Sequence, residues 1–145
     1  MKSRGIISMK KLIDDRYLKT AFLVGGIYDI LLGIPMLFLP DLTATLLNVT
    51  KPEPIIWAQT SGVFLIIVGY FLLIGTQDAR RLAFIGVGWA VIRLGYATLT
   101  VLSWLTIGIE MGYMLVAMTD TLTAIILLVP IFLTEEVSWK QLWEL

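Results

Sequence analysis

The sequence predicts an all-α polytopic membrane protein, an antiparallel bundle of four transmembrane helices with short amphipathic interfacial helices. Hydrophobic residues make up 58% of the 145 residues and charged residues only 15%, which is too little polar surface to cover a water-soluble domain. Mean hydropathy is +0.88. The apolar residues also fall in long runs, each able to cross a hydrocarbon layer of about 30 Å as a helix. We therefore expect a single transmembrane domain over residues 1–145.

The apolar runs define the predicted membrane spans. They cover residues 20–39, 55–75, 82–107 and 111–133. Helices are expected because an open strand in lipid leaves its backbone N–H and C=O groups unpaired. The short turns at 77–81 and 108–110 make the second and third spans, and then the third and fourth spans, antiparallel neighbours.

The segments outside the spans are predicted to lie at the membrane surface. Residues 1–19 place Ile13 and Tyr17 close to one face, as in an interfacial helix. The C-terminal tail, residues 134–145, has the same amphipathic character. The connection over residues 41–54 carries several apolar side chains, so we expect it to rest on the bilayer surface.

Basic residues predict the orientation of the chain. Lys51 is the one basic residue on its side of the predicted membrane, and Arg93 lies inside the third span. The other nine all fall on the side of the two termini: Lys2, Arg4, Lys10, Lys11, Arg16, Lys19, Arg80, Arg81 and Lys140. By the positive-inside rule, both termini are expected in the cytoplasm, with the bundle in a bacterial inner membrane.

The composition also narrows the chemistry. The chain has no histidine and no cysteine, which argues against histidine-ligated haem, thiolate metal sites and the usual nucleophile–base pairs. Eleven basic residues balance eleven acidic ones, so a nucleic-acid partner is not expected. We expect no metal and no cofactor, and membrane lipid as a partner.

Small residues recur at a spacing of seven in every predicted span, which places each pair on one helix face. Such stripes let transmembrane helices approach closely, so they are predicted packing positions. The pairs are Gly26 with Gly33, Gly62 with Gly69, Gly88 with Gly95, and Ala117 with Ala124.

Three ionisable residues lie near the middle of their spans: Asp29, Arg93 and Asp120. An unpaired charge there costs about 2.5–3.5 kcal/mol, so these side chains are predicted to point inward, with Arg93 pairing with at least one aspartate. Gln59 and Tyr96 are added as further polar members of this cluster. Two interpretations stay open: a functional site, or polar contacts that only hold the helices together.

Several short motifs resemble the DoxX-like family of small four-helix membrane proteins, including its BphX-like branch. The resemblance extends over residues 21–132 and rests on Gly33-Ile34-Pro35, Pro52-Glu53-Pro54, Gly69-Tyr70-Phe71, Gln77-Asp78-Ala79-Arg80-Arg81, Arg93-Leu94-Gly95 and Asp120. It implies an accessory membrane partner of oxidoreductase or stress-related systems. It assigns no catalytic residue.

The sequence therefore favours a non-catalytic accessory or scaffold subunit that packs against a larger membrane complex. Other membrane subunits, or further copies of the chain, are the expected protein partners. The alternative is a protein that handles a quinone, a lipid or protons through the midplane Asp/Arg cluster. An intramembrane enzyme is the weakest interpretation, since general acid–base work would fall to the aspartates alone.

Overall fold

The computed structural model describes residues 3–79 and 81–133, and their regular structure is helical. The helices in chain order are α1 (Ser3–Phe38), α2 (Pro40–Leu47), α3 (Ile56–Gly75), α4 (Ala83–Ile107) and α5 (Met111–Leu133). Within the described residues, four helices are long and apolar enough to cross a membrane. The stretches that qualify are Arg16–Phe38, Ile56–Gly75, Ala83–Ile107 and Met111–Val129, which confirms the predicted all-α membrane architecture.

The N-terminal segment is not a separate element. One uninterrupted helix runs from Ser3 through the first span to Phe38, whereas the sequence predicts an interfacial helix over residues 1–19. No proline or glycine interrupts residues 6–24, so nothing in the chain favours a break there. The predicted amphipathic tail at 134–145 lies outside the described residues.

The connection after the first span contains a helix that sequence reasoning missed. Pro40 occupies the first turn of α2, where its missing N–H is no loss, and Asp41 follows it near the positive end of the helix dipole. Asn48 ends the helix in the left-handed conformation, at φ 53°. The Lys51 ammonium then contacts the Asp41 carboxylate at 2.5 Å, which ties the following segment back to the start of α2.

The bundle is built from two helical hairpins. The closest pairings are α1 with α3 and α4 with α5, while α1 with α5 and α3 with α4 join the two hairpins more loosely. The α1–α3 pair is antiparallel, because Gly26 lies beside Gly69 and Gly33 beside Gly62. A side-chain contact between the two hairpins is therefore important for holding them together.

The apolar core fills the half of the bundle that contains the end of α3 and the start of α4. Phe22, Leu72 and Leu127 are almost completely buried there. Phe22 fits between two helices because glycines face it: a Cβ on Gly75 would lie 2.5 Å from the Phe22 ring, and one on Gly86 would lie 2.9 Å from it. About two turns further along α1 comes Asp29, and the core changes from apolar to ionic.

Candidate functional site: a buried Asp–Arg–Asp cluster

Asp29, Arg93 and Asp120 meet at the centre of the bundle. Asp29 is 0% exposed, Asp120 3% and Arg93 4%, although each belongs to a different membrane-spanning helix. The three residues lie at the same depth in the bundle, because each is near the middle of its span. Helices α1 and α4 run in the same direction, and α5 runs antiparallel to both. The prediction that these three ionisable side chains turn inward and meet agrees with this geometry.

Arg93 joins the two carboxylates. Its Nη2 contacts Oδ1 of Asp29, and its Nη1 contacts Oδ1 of Asp120. The guanidinium offers donors in a planar fork, so one side chain can serve two acceptors on different helices. Because Asp29 belongs to the α1–α3 hairpin and Arg93 to the α4–α5 hairpin, this ionic contact crosses the weaker interface of the bundle.

Two aromatic rings complete the site. Trp89 Nε1 donates a hydrogen bond of 2.6 Å to Oδ2 of Asp29, the oxygen that Arg93 does not use. The Arg93 Cζ lies 5.1 Å from the centre of the Trp89 ring and 5.2 Å from that of Tyr28, within the range of cation–π attraction. Each of the two rings therefore stabilises the buried cation.

The α1–α5 edge of the site carries a second polar contact. The Tyr28 hydroxyl lies 2.9 Å from Oγ1 of Thr119. Thr119 also donates to the Val116 carbonyl in its own helix at 2.8 Å, so Tyr28 is the donor in the contact between the two hydroxyls. The hydrogen bond from Trp89 to Asp29 and the contacts of the two rings with the Arg93 guanidinium were not predicted from sequence. The signal was available, since each lies on the same helix as a charged residue, four positions before Arg93 or directly before Asp29.

Gln59 is not part of the cluster, which corrects its assignment from sequence. Its Nε2 donates to the Leu37 carbonyl across 3.4 Å, near the end of α1. The glycine register of α1 and α3 sets Gln59 about two turns, roughly 10 Å, away from the level of Asp29. Gln59 was assigned to the cluster because it is polar, but its position along α3 is too far from Asp29 for contact.

Tyr96 also stays outside the cluster. It is 37% exposed and lies at the edge of the buried face of α4, three residues beyond Arg93. Within the described part of the chain, no hydrogen bond joins its hydroxyl to Asp29, Arg93 or Asp120. The cluster thus consists of three ionisable groups and two aromatic rings.

The predicted glycine contacts occur between α1 and α3. A Cβ on Gly26 would lie 2.8 Å from the Gly69 carbonyl oxygen, and one on Gly33 would lie 2.8 Å from that of Gly62. The reciprocal distances are 2.8 Å at Gly69 and 2.7 Å at Gly62, so both backbones approach as closely as glycine allows. This close pairing fixes the depth at which Asp29 is presented to the other hairpin.

In α4 the predicted stripe makes no contact inside the bundle. Gly88 and Gly95 are exposed, and a Cβ at either position would meet nothing within 4 Å. The buried face of α4 instead carries Gly86, Trp89, Ala90, Arg93, Ala97 and Thr100. The spacing of seven was real, but Arg93 and Trp89 determine which face turns inward. In α5, Ala117 and Ala124 are buried at 2% and 0% exposure, consistent with a packing role.

At the α2 end of the bundle, Glu110 in the α4–α5 turn binds the segment that joins α2 to α3. Its carboxylate accepts from the Thr50 backbone N–H at 2.8 and 2.9 Å and also from the Thr50 hydroxyl. The Thr50 hydroxyl and N–H hold the pKa of the Glu110 carboxyl below its usual range. Gly112 lets the end of α2 pack closely against the start of α5, because a Cβ at this position would collide with the Leu47 carbonyl oxygen.

The ionic site does not resemble a metal centre. Among the residues that the structure describes, no three acidic side chains come close enough together to hold a metal ion. The space between Asp29 and Asp120 is taken by the Arg93 guanidinium, whose charge opposes a bound cation.

Comparison with known proteins gives no match to this chain among family models, curated proteins or solved structures.

Proposed function

We propose that the protein is a non-catalytic accessory or scaffold subunit of a larger membrane complex, in which the Asp–Arg–Asp cluster is a structural crosslink. One observation carries the proposal. Arg93 contacts both carboxylates and is only 4% exposed. The three buried charged groups are therefore paired with one another and are not accessible to a substrate. A site that binds and turns over a substrate needs accessible groups.

The crosslink gives such a subunit a defined shape. The two hairpins touch mainly through α1–α5 and α3–α4, and apolar packing between helices has little directional preference in lipid. Charged and hydrogen-bonded contacts fix depth and rotation as well as affinity. The cluster therefore sets one relative position of the hairpins, which a partner subunit can recognise.

Gly88 and Gly95 support the existence of a partner. Both are open on the lipid-facing side of α4, with nothing within 4 Å of a Cβ position. The same spacing of glycines on α1 and α3 produces the closest helix contact inside the bundle. A transmembrane helix of another subunit is the occupant that the scaffold role requires on this face.

The resemblance to DoxX-like proteins extends the proposal to a redox-related complex. The distribution of lysine and arginine supports a bacterial inner membrane with both termini in the cytoplasm. Reporter fusions at each terminus test the orientation: cytoplasmic reporters at both ends are expected, and an external reporter at either end contradicts it.

Purification in mild detergent tests the scaffold role. We expect a stoichiometric membrane partner that Gly88→Leu and Gly95→Leu each remove while the bundle keeps its thermal stability. Thr60→Leu, which adds the same side chain to an exposed position of α3, is the matched control and leaves the partner bound. A monomer or homo-oligomer without a partner contradicts the proposal.

The second candidate is a proton-handling role for the same cluster. The observation in its favour is the charge count: one guanidinium faces two carboxylates in a water-poor interior. A neutral cluster needs one proton on the aspartate pair. Proteoliposomes with a pH-sensitive dye inside distinguish the candidates. Proton flux that Arg93→Met abolishes favours this role, and flux equal to that of protein-free liposomes removes it.

A further inference from the structure

A groove opens toward the lipid between α4 and α5. It has a volume of about 510 Å³, within the usual range for a small-molecule pocket. Its walls are apolar apart from two threonines. Ala97 and Val101 line it from α4, and Met114, Met118, Leu122 and Ile125 line it from α5. The groove is distinct from the ionic cluster, because Asp29, Arg93 and Asp120 do not line it.

The length and position of the groove match one leaflet of a bilayer. Met114 lies in the first turn of α5, at the α2 end, and Ile125 lies beyond the midpoint of the helix. These residues are about 16 Å apart along the axis, close to half of a hydrocarbon core of about 30 Å. The groove thus runs from the α2-end interface to the middle of the membrane, as an acyl chain does.

Among the described residues that line the groove, no side-chain donor is left for a polar ligand. Oγ1 of Thr121 donates to the Ala117 carbonyl at 2.8 Å, and Oγ1 of Thr119 donates to the Val116 carbonyl at 2.8 Å. A quinone ring or another carbonyl-bearing group would lose its hydrogen bonds to water without replacement. Hydrocarbon loses nothing on entering such a site. Met114 and Met118 supply flexible side chains that adapt to a chain of variable shape.

We propose that the α4–α5 groove is a binding site for one acyl chain of a phospholipid from the leaflet at the α2 end. The site is independent of the scaffold role and requires only that the four long helices cross a bilayer. It places a retained lipid beside Ala117, about one turn along α5 from Asp120.

The test uses the full chain in nanodiscs that contain phosphatidylcholine with a photoactivatable diazirine in one acyl chain. After illumination, mass spectrometry maps and counts the labelled residues. We expect label concentrated on residues 97–101 and 114–125. Val101→Trp, which fills the groove from a position 41% exposed, reduces this label to the level found on the outer face of α3.

Leu99→Trp is the matched control, because Leu99 is 65% exposed on the same helix but does not line the groove. It leaves the label unchanged. Met118→Trp, at a position 65% exposed, repeats the block from α5 and decides the result if Val101→Trp does not fold. Label spread evenly over all lipid-facing helices, or insensitive to both blocking variants, overturns the proposal. An isoprenoid quinone that displaces the label better than a saturated alkane overturns the assignment to an acyl chain.

Discussion

Trp89 donates its indole N–H to one carboxylate oxygen of Asp29, and the other oxygen of this fully buried acid forms the ion pair with Arg93. The two residues belong to different hairpins and lie diagonally across the bundle. Asp29 is therefore held in place by α4 twice, once through charge and once through a directional hydrogen bond.

Trp89→Phe tests this hydrogen bond. The variant keeps an aromatic ring beside Arg93 but leaves one carboxylate oxygen without its donor, so we expect a loss of about 1.5–3 kcal/mol in unfolding free energy. Thermal unfolding in detergent measures it. Trp57→Phe, at a position 64% exposed, is the control and changes the melting temperature little. Equal melting temperatures for the two variants would contradict a structural role for the indole.

Arg93→Met tests the ionic crosslink. Removal of the guanidinium leaves two buried carboxylates facing each other, and loss of one partner of a buried ion pair costs about 3–5 kcal/mol. Unfolding by heat or denaturant in detergent reports the change, with Ile92→Met at the exposed neighbouring position as control. The triple variant Arg93→Met, Asp29→Asn, Asp120→Asn is expected to recover part of the stability, since it removes the uncompensated charges. No recovery would show that the loss has another cause.

Gly69→Ala and Gly88→Ala form a matched pair with opposite expected signs. A methyl group on Gly69 would lie 2.8 Å from the Gly26 carbonyl oxygen, so the α1–α3 contact must separate, at a cost of about 1–3 kcal/mol. The same group on Gly88 meets nothing and stiffens the helix, which stabilises by up to about 1 kcal/mol. Differential scanning fluorimetry of both proteins checks the prediction; a loss of stability at Gly88 equal to that at Gly69 would contradict it.

The contact between Glu110 and Thr50 predicts a pH dependence at the α2 end. The pKa of Glu110 is lower in the folded protein than its ordinary value of 4.5. Its stabilising contribution is therefore complete above the unfolded pKa and is lost as the pH falls through the folded one. Protection of the Thr50 amide from hydrogen exchange, measured relative to its intrinsic rate at each pH, should fall in that acidic range and should be low at every pH in Glu110→Gln. Glu53→Gln removes the same charge without touching Thr50 and leaves the exchange unchanged.

The sequence predicts the architecture well because lipid imposes a simple requirement. Spans must be apolar and about 20 residues long, so the bounds of the four apolar spans follow from composition to within a few residues, although α1 itself begins at Ser3. The same requirement identified the three charged residues, because a charge at mid-membrane is stable only when it is paired or faces the interior of the bundle. These residues are Asp29, Arg93 and Asp120. Helix α2 was missed because Pro40 was interpreted as the end of one helix rather than also as the first turn of the next.

The details of packing were harder to predict because they depend on rotation about each helix axis. The spacing of seven in α4 is compatible with several faces, and only the positions of Trp89 and Arg93 decide that Gly86 turns inward while Gly88 turns outward. Gln59 shows the same limit along the axis: polarity marks a residue as unusual, but the register between α1 and α3 decides which neighbours it meets.

The diagonal ion pair has a consequence for biogenesis. Asp29 leaves the ribosome 64 residues before Arg93, a delay of about 3–13 s at ordinary rates of translation. During that time the first hairpin enters the bilayer with an unmatched acid, which its leucines and isoleucines outweigh at about 0.3–0.6 kcal/mol each. Insertion of the first half therefore does not wait for the second. The arrival of the arginine then converts two independently inserted halves into one protein.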